Sequence, residues 1–147
     1  MSQSYDFAHA PGHLIRRAQQ VAVSVFAQEL AVFDVTPVQF AILNALMDAP
    51  GTDQVTLAAR VAFDAATSGS VIGRLEAKGW VRREASPQDR RRKLLWLTPK
   101  GKKAVLAMAP KVAQVQQLIL LPLKAQERQQ LMDLLAKLVS AQSSTGS

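Results

Sequence analysis

The densest chemistry in this chain lies in Ser86-Pro87-Gln88-Asp89-Arg90-Arg91-Arg92, where a turn-forming stretch runs straight into three arginines. A single carboxylate among cations adds nothing to bulk charge. Asp89 is better placed to hold one arginine in a fixed rotamer, because carboxylate–guanidinium pairs are geometrically specific. An arginine oriented in advance suits the narrow minor groove of double-stranded DNA, where the negative potential is strongest. Arg91 is assigned that role, with Arg90 and Arg92 on flanking phosphates.

These residues sit in a larger basic block. Nine Lys/Arg lie between Arg82 and Lys103 against two acids, Glu84 and Asp89, so this stretch alone carries the +7 of the whole chain. Such a block fits a polyanion, since neutralising phosphates releases condensed counterions. Charge alone would equally describe a solvated run that aids solubility. The segment just upstream decides between them. Ala65-Ala66-Thr67-Ser68-Gly69-Ser70 opens a helix with few large side chains, able to enter a major groove about 12 Å wide. Its hydroxyls can bond base edges or phosphates, and a helix N-terminus itself favours phosphate. With Val71, Ile72 and Leu75 as the inward stripe, Thr67, Ser68, Ser70 and Arg74 are left to face DNA.

The elements that must position these groups can be read in order. Residues 1–10 form a tail, and a first helix begins near Pro11 with Leu14, Val21, Val25 and Phe33 at helical spacing. Thr36-Pro37 reads as an N-cap followed by proline at the first helical position. The helix it starts carries Phe40, Leu43, Ala45 and Leu46 and stops at Ala49-Pro50-Gly51. A short helix runs from Gln54 to Ala62, capped by Thr52 or Asp53. The turn Ala62-Phe63-Asp64 leads to the helix that ends at Gly79. Trp80 to Ala85 and Arg92 to Thr98 have strand character around the turn, which makes a hairpin. Thr98-Pro99 opens a long helix through Leu121, Pro122 interrupts it, and a last helix carries Leu131, Leu134, Leu135 and Leu138. The tail Ser140–Ser147 is small and polar, and is expected to fray.

This is a mainly α fold with a small β-hairpin wing: a winged helix-turn-helix, dimerised through its N- and C-terminal helices. Residues 1–35 give a tail and dimerisation helix, 36–98 the DNA-binding unit, and 99–147 the C-terminal dimerisation helices and frayed tail. The terminal helices carry more apolar surface than one small domain can cover: Val112, Val115, Leu118, Ile119, Leu120, Leu121 and Leu123, then the leucine stripe.

Other classes find little support. The chain has no cysteine, which removes disulfides, thiolate metal sites, a cysteine nucleophile and thiol redox switching together. Its two histidines both fall in the first 13 residues, and no phosphate loop, nucleophile elbow or paired-carboxylate cleft is present, so an enzyme is not expected. His9 and His13 stand at i, i+4, a spacing that can share a metal, but they complete no zinc signature, and no metal or cofactor is expected. Met1 to Gly12 lacks the apolar core of a signal peptide, and no apolar run is long enough to span a bilayer. A soluble chain of the bacterial cytoplasm, associated with the nucleoid and not with membrane, is the expectation.

Three stretches together resemble the signature of MarR-type regulators: Leu75-Glu76-Ala77-Lys78-Gly79-Trp80-Val81-Arg82-Arg83, then Asp89-Arg90-Arg91, then Leu95-Trp96-Leu97-Thr98-Pro99-Lys100-Gly101. The resemblance covers Thr36 to Gly101 by motif and the whole chain by helix order. It implies a two-fold dimer built from the first, fifth and sixth helices, reading a palindromic operator with half-sites one DNA turn apart, about 34–36 Å. It also implies repression relieved by a small molecule wedged between the dimer helices and the winged unit. His9 to Arg17 is similar to the first helix of members that regulate aromatic-acid catabolism, which implies a small aromatic acid as effector, of the benzoate, hydroxybenzoate or cinnamate type, and control of an aromatic catabolic operon. Arg16 or Arg17 would pair the carboxylate, and His13, one turn earlier, would bond it or a ring hydroxyl. Phe40 and Phe63, with Phe26, Ile42 or Leu43, would supply walls. Exposed arginines, or pairing with acids of a second subunit, and a capping His13 remain the plainer alternative. The same fold acting as an activator shares every one of these features, and a regulator or architectural protein with no aromatic ligand shares all of them except the effector cradle.

Overall fold

Two Thr-Pro pairs start the helices that frame the molecule. The computed structural model describes residues 4–61 and 65–145. In it α1 spans Pro11–Glu29, α2 Pro37–Asp48, α3 Gln54–Arg60, α4 Ala65–Ala77, α5 Pro99–Ile119 and α6 Ala125–Thr145. The strands are β1 Thr52–Asp53, β2 Val81–Ala85 and β3 Lys93–Leu97. At the head of α2, the Thr36 hydroxyl accepts from the Gln39 amide and the Thr36 amide donates to Gln39 Oε1, both at 3.1 Å. This reciprocal cap satisfies two amide donors, and Pro37 has no donor to satisfy. Thr98 repeats the arrangement for α5, accepting from the Gly101 amide at 3.0 Å.

The hairpin is a true wing. Strands β2 and β3 pair antiparallel from Val81–Leu97 to Ala85–Lys93, and β1 adds on the far side of β3, giving the order β1-β3-β2. The sequence reading assigns no strand at Thr52-Asp53, since two residues are too few to show a period of two. The core gathers Ile42, Leu43 and Leu46 of α2, Leu57 of α3, Ile72 and Leu75 of α4, Leu95 of β3, and Met108 and Val115 of α5, all fully buried. Val115, expected at a subunit interface, is thus spent inside the chain, whereas Leu134 (61% exposed), Leu138 and Val139 of α6 remain open.

Two differences from the sequence reading, and one expected helix that runs through a proline, have local causes. Phe33 leaves the α1 stripe for a separate 3₁₀ turn, Ala31–Phe33, closed by Asp34 in the left-handed region at φ 50°. Helix α5 continues through Pro110, which is exposed; the carbonyl it would leave unbonded belongs to Leu106, itself 66% exposed, where water can satisfy it. Helix α6 runs to Thr145, beyond the fraying expected from Ser140, because Ala, Gln and Ser continue a helix once its earlier turns are formed.

The joint between wing and α5 is tight, with less room for a side chain at Gly101 than at the other described glycines. Gly79 ends α4 at φ 77°, and the Trp80 amide reaches back to the Leu75 carbonyl at 3.0 Å. A Cβ on Gly101 would stand 2.1 Å from the Trp80 carbonyl oxygen. Backbone cannot yield as a flexible side chain does. Gly101→Ala is therefore expected to lower stability by about 1–3 kcal/mol or more, read as a fall in Tm of several degrees; an unchanged melt would contradict the tight joint.

Candidate nucleic-acid interface

The reading face of α4 follows from its helical phase. Ser68, Ile72 and Leu75 are all fully buried and stand at i, i+4, i+7, so Ser68 continues the inward stripe. This corrects the expectation that Ser68 faces DNA. The signal was present in the sequence: extending the Ile72–Leu75 stripe back one turn lands on residue 68, but its small polar side chain disguised it. The Ser68 hydroxyl has no hydrogen-bond partner. Thr67, Ser70 and Arg74 are exposed and stand at i, i+3, i+7, so three of the four expected residues share one outward face. The capping residue Asp64 and the turn residue Phe63 lie outside the described residues.

At the wing tip the expected pair is formed. Asp89 Oδ1 accepts from Arg91 Nε at 3.2 Å and from the Arg91 amide at 3.0 Å. The Arg91 side chain is still 91% exposed, so the carboxylate orients the arginine without covering it. The turn is closed by the Arg92 amide on the Asp89 carbonyl at 2.9 Å and the Ser86 amide on the Arg92 carbonyl at 2.8 Å. Arg90 is exposed and has no side-chain partner among the described residues. Arg92, expected on a flanking phosphate, also has a partner in the chain: its guanidinium bonds Asp53 Oδ1 at 3.2 Å, tying the wing to the start of α3. Nothing in local sequence marks a partner 39 positions away.

Asp53 does double duty. It caps α3 through the Thr56 amide at 3.2 Å and the Thr56 hydroxyl at 2.6 Å. Those two bonds, and then Arg92, hold its carboxyl below the ordinary 3.8. The stabilisation this brings is present above that ordinary value and is lost as pH falls through the lowered one.

A second brace escaped the sequence reading. Arg83 of β2 donates from Nε to Glu76 Oε1 of α4 at 3.0 Å and from Nη1 to Gln54 Oε1 of α3 at 3.0 Å. One guanidinium thereby joins the reading helix, the helix before it and the wing. Its planar fork of donors suits bridging two acceptors, which a lysine would do poorly.

On α1 the structure brings together some of the expected effector residues. Arg16 Nη2 lies 2.9 Å from His13 Nδ1, and the Phe7 ring stands 4.7 Å from the His13 ring. Arg17 lines a shallow hollow with Gln20, Val21, Ser24 and Val25. Phe40 is half-buried against the core, and no hydrogen bond, ion pair or ring contact among the described residues joins it to this group. Ile42 and Leu43 are fully buried. His9 bonds Asp6 at 2.8 Å, so the two imidazoles address different partners, and no cluster of three potential metal ligands occurs among the described residues.

A basic wing with an oriented arginine, beside a helix with a small polar outer face, defines a winged-helix DNA-binding protein. The comparisons narrow this. The model of the MarR family matches residues 33–92. The chain is 33% identical over 142 residues to the HTH-type transcriptional repressor NicR of Pseudomonas putida, covering 97% of this chain and 90% of that one. The PcaV transcriptional regulator of Streptomyces coelicolor, solved in complex with its natural ligand, superposes with a TM-score of 0.88 at 36% identity, over 95% of this chain and 99% of that one. BpsR of Bordetella bronchiseptica, whose DNA binding is regulated by 6-hydroxynicotinic acid, gives 0.87 at 36% identity, over 93% and 98%. The chain belongs to the MarR family, whose members are DNA-binding transcriptional regulators and not enzymes. Among the described residues no helix is long and apolar enough to cross a membrane.

Two outcomes follow from these positions. Arg91→Ala should weaken operator binding by about 1–3 kcal/mol in a gel-shift titration at fixed salt, and unchanged affinity would sink the wing assignment. Ser68→Ala should leave DNA affinity unaltered and the melting temperature equal or slightly higher, since the lost hydroxyl has no partner. A clear loss of affinity with a normal melt would return Ser68 to the DNA face.

Proposed function

We propose that this protein is a homodimeric transcriptional repressor that binds a palindromic operator and releases it when a small aromatic carboxylate binds. The observation that carries the DNA half of this reading is the Asp89–Arg91 pair, an oriented yet open arginine at the wing tip. Thr67, Ser70 and Arg74 read the major groove, Arg91 the minor groove and Arg90 a flanking phosphate. The protein acts on chromosomal DNA in the bacterial cytoplasm. Residues 36–98 form the reading unit, and the segments on either side hold the dimer.

The dimer rests on apolar surface. Leu14, Ile15 and Val21 of α1, with Leu134, Leu135, Leu138 and Val139 of α6, are exposed in the single chain. Covering each such side chain contributes about 1.5–3 kcal/mol, and α6 packs only lightly on the rest of its own chain. A two-fold partner supplies the cover.

The effector half is supported by the His13–Arg16 pair and by near full-length likeness to BpsR, regulated by 6-hydroxynicotinic acid. A planar guanidinium held by an imidazole matches a carboxylate, and Phe7 beside His13 offers a ring. Control of an operon for aromatic breakdown is the matching role.

The test is fluorescence polarisation on DNA from the gene's own upstream region, with benzoate, hydroxybenzoate, cinnamate and 6-hydroxynicotinate added in turn. Tight binding released by one compound, with the response abolished in Arg16→Ala and DNA affinity kept, is the expected result. Tight binding that none of them disturbs would remove the aromatic effector; induction surviving in Arg16→Ala would move its carboxylate partner elsewhere.

A further inference from the structure

On the wing, the alternation of strand side chains places Arg82 and Trp96 opposite each other on one face, while Arg83 and Leu95 occupy the other. Arg83 turns toward α3 and α4, as its bonds to Gln54 and Glu76 show. Arg82 and Trp96 therefore look away from the reading helix. There they border a hollow of about 330 Å³, closed by Leu46, Met47 and Pro50 at the end of α2 and by Lys102 in the first turns of α5. That volume falls within the range of small-ligand pockets, roughly 300–1,000 Å³.

The hollow has a consistent chemistry. Its floor is apolar and aromatic, from Leu46, Met47 and the Trp96 ring. Its rim carries two cations. The Arg82 guanidinium lies 5.7 Å from the Trp96 ring centroid and also pairs with Glu84. The Lys102 ammonium has no hydrogen bond or ion pair among the described residues. The Trp96 indole Nε1 is buried without an acceptor. A buried donor left unpaired is costly, and such groups in folded proteins ask for an explanation. Two cations thus stand at the rim of an apolar floor.

We propose that this hollow is a second small-molecule site, taking a compact aromatic carboxylate with its ring on Met47 and Trp96 and its charge between Lys102 and Arg82. A backbone phosphate of DNA would meet the same cations but has no use for the floor, and the face is turned from α4. The site shares no residue with the His13–Arg16 group, so it stands or falls separately from the effector cradle on α1. Its position gives it a lever: an occupant touches α2, both main wing strands and the start of α5, the elements whose joint sets the wing.

The experiment is a ¹H–¹⁵N spectrum of the full-length protein, following the indole N–H peaks of its two tryptophans. Trp80→Phe assigns the Trp96 peak; should that buried change unfold the protein, Trp96→Phe assigns it by disappearance. Benzoate should shift the Trp96 peak saturably, whereas the neutral isostere benzamide and inorganic phosphate should not. Lys102→Gln should weaken this response at least tenfold, and Arg16→Ala should leave it intact. No shift with millimolar benzoate would overturn the proposal. So would an equal response to phosphate or to duplex DNA, an equal response in Lys102→Gln, or loss of the response in Arg16→Ala, which would assign the shift to the α1 group.

Discussion

The Thr98 hydroxyl serves two helix ends at once. It donates to the Gly79 carbonyl at 2.6 Å, where α4 stops, and accepts from the Gly101 amide at 3.0 Å, where α5 starts. The Thr98 amide adds a bond to the Trp80 carbonyl at 3.0 Å, and Lys100 reaches the Lys78 carbonyl at 3.2 Å. Helix termini leave carbonyls and amides unsatisfied, and here the end of one helix is satisfied by the beginning of the other. Two glycines make this possible: Gly79 by its left-handed backbone, Gly101 by having no Cβ against Trp80. The Gly-Trp and Leu-Thr-x-x-Gly pieces of the signature are thus the two halves of one joint. It fixes the reading helix relative to the long helix that leads to the dimer surface.

From that joint outward, the wing is held by charge pairs whose value is geometric. Arg91–Asp89 and Arg92–Asp53 each have a substantially exposed arginine, while Arg83–Glu76 is half-buried on both sides. Pairs of the exposed kind add about 0–1 kcal/mol each to stability. They cannot hold the fold together, and the buried core does not need them to. What all three do is restrict rotamers: Arg91 keeps less side-chain freedom to lose on binding, and Arg83 and Arg92 hold the wing against α3 and α4. The split between Arg91 and Arg92 is informative here. Asp89 holds its arginine pointing out, whereas Asp53 draws its arginine back against α3. Two adjacent residues of one type therefore anchor in opposite directions, one toward a ligand and one toward the protein.

Which features were legible in the sequence depends on the range of the physics behind them. Caps, turns and helical stripes are local, and the Thr-Pro starts, the Gly79 stop, the hairpin and the Asp89–Arg91 pair could all be read within a few residues. The partner of Arg92 lies 39 positions away and that of Arg83 through Gln54 lies 29 away. Those pairings exist only once the sheet has formed, and charge type alone offers several candidates. Strand β1 is a similar case: it is a strand because β3 passes beside it, not because of its own residues. Ser68 failed differently. Its phase puts it on the inward stripe with Ile72 and Leu75, while its small polar side chain alone suggests a reading residue.

The same distinction separates the two ends of the molecule. At the reading end Arg91 is oriented by bonds within one chain, and the outer face of α4 is set by the buried stripe opposite it. At the other end α1 and α6 leave leucines and valines exposed, and α6 packs only lightly on the other described elements. Orientation of the reading head is therefore an intrachain property, while in the proposed dimer the spacing between two heads would belong to α1 and α6. The joint at Thr98 lies between these two levels, on the chain's path from β3 to α5. The braces around Arg83 and Asp53 close entirely on the reading side of that joint, so they hold wing, α3 and α4 together independently of α1 and α6.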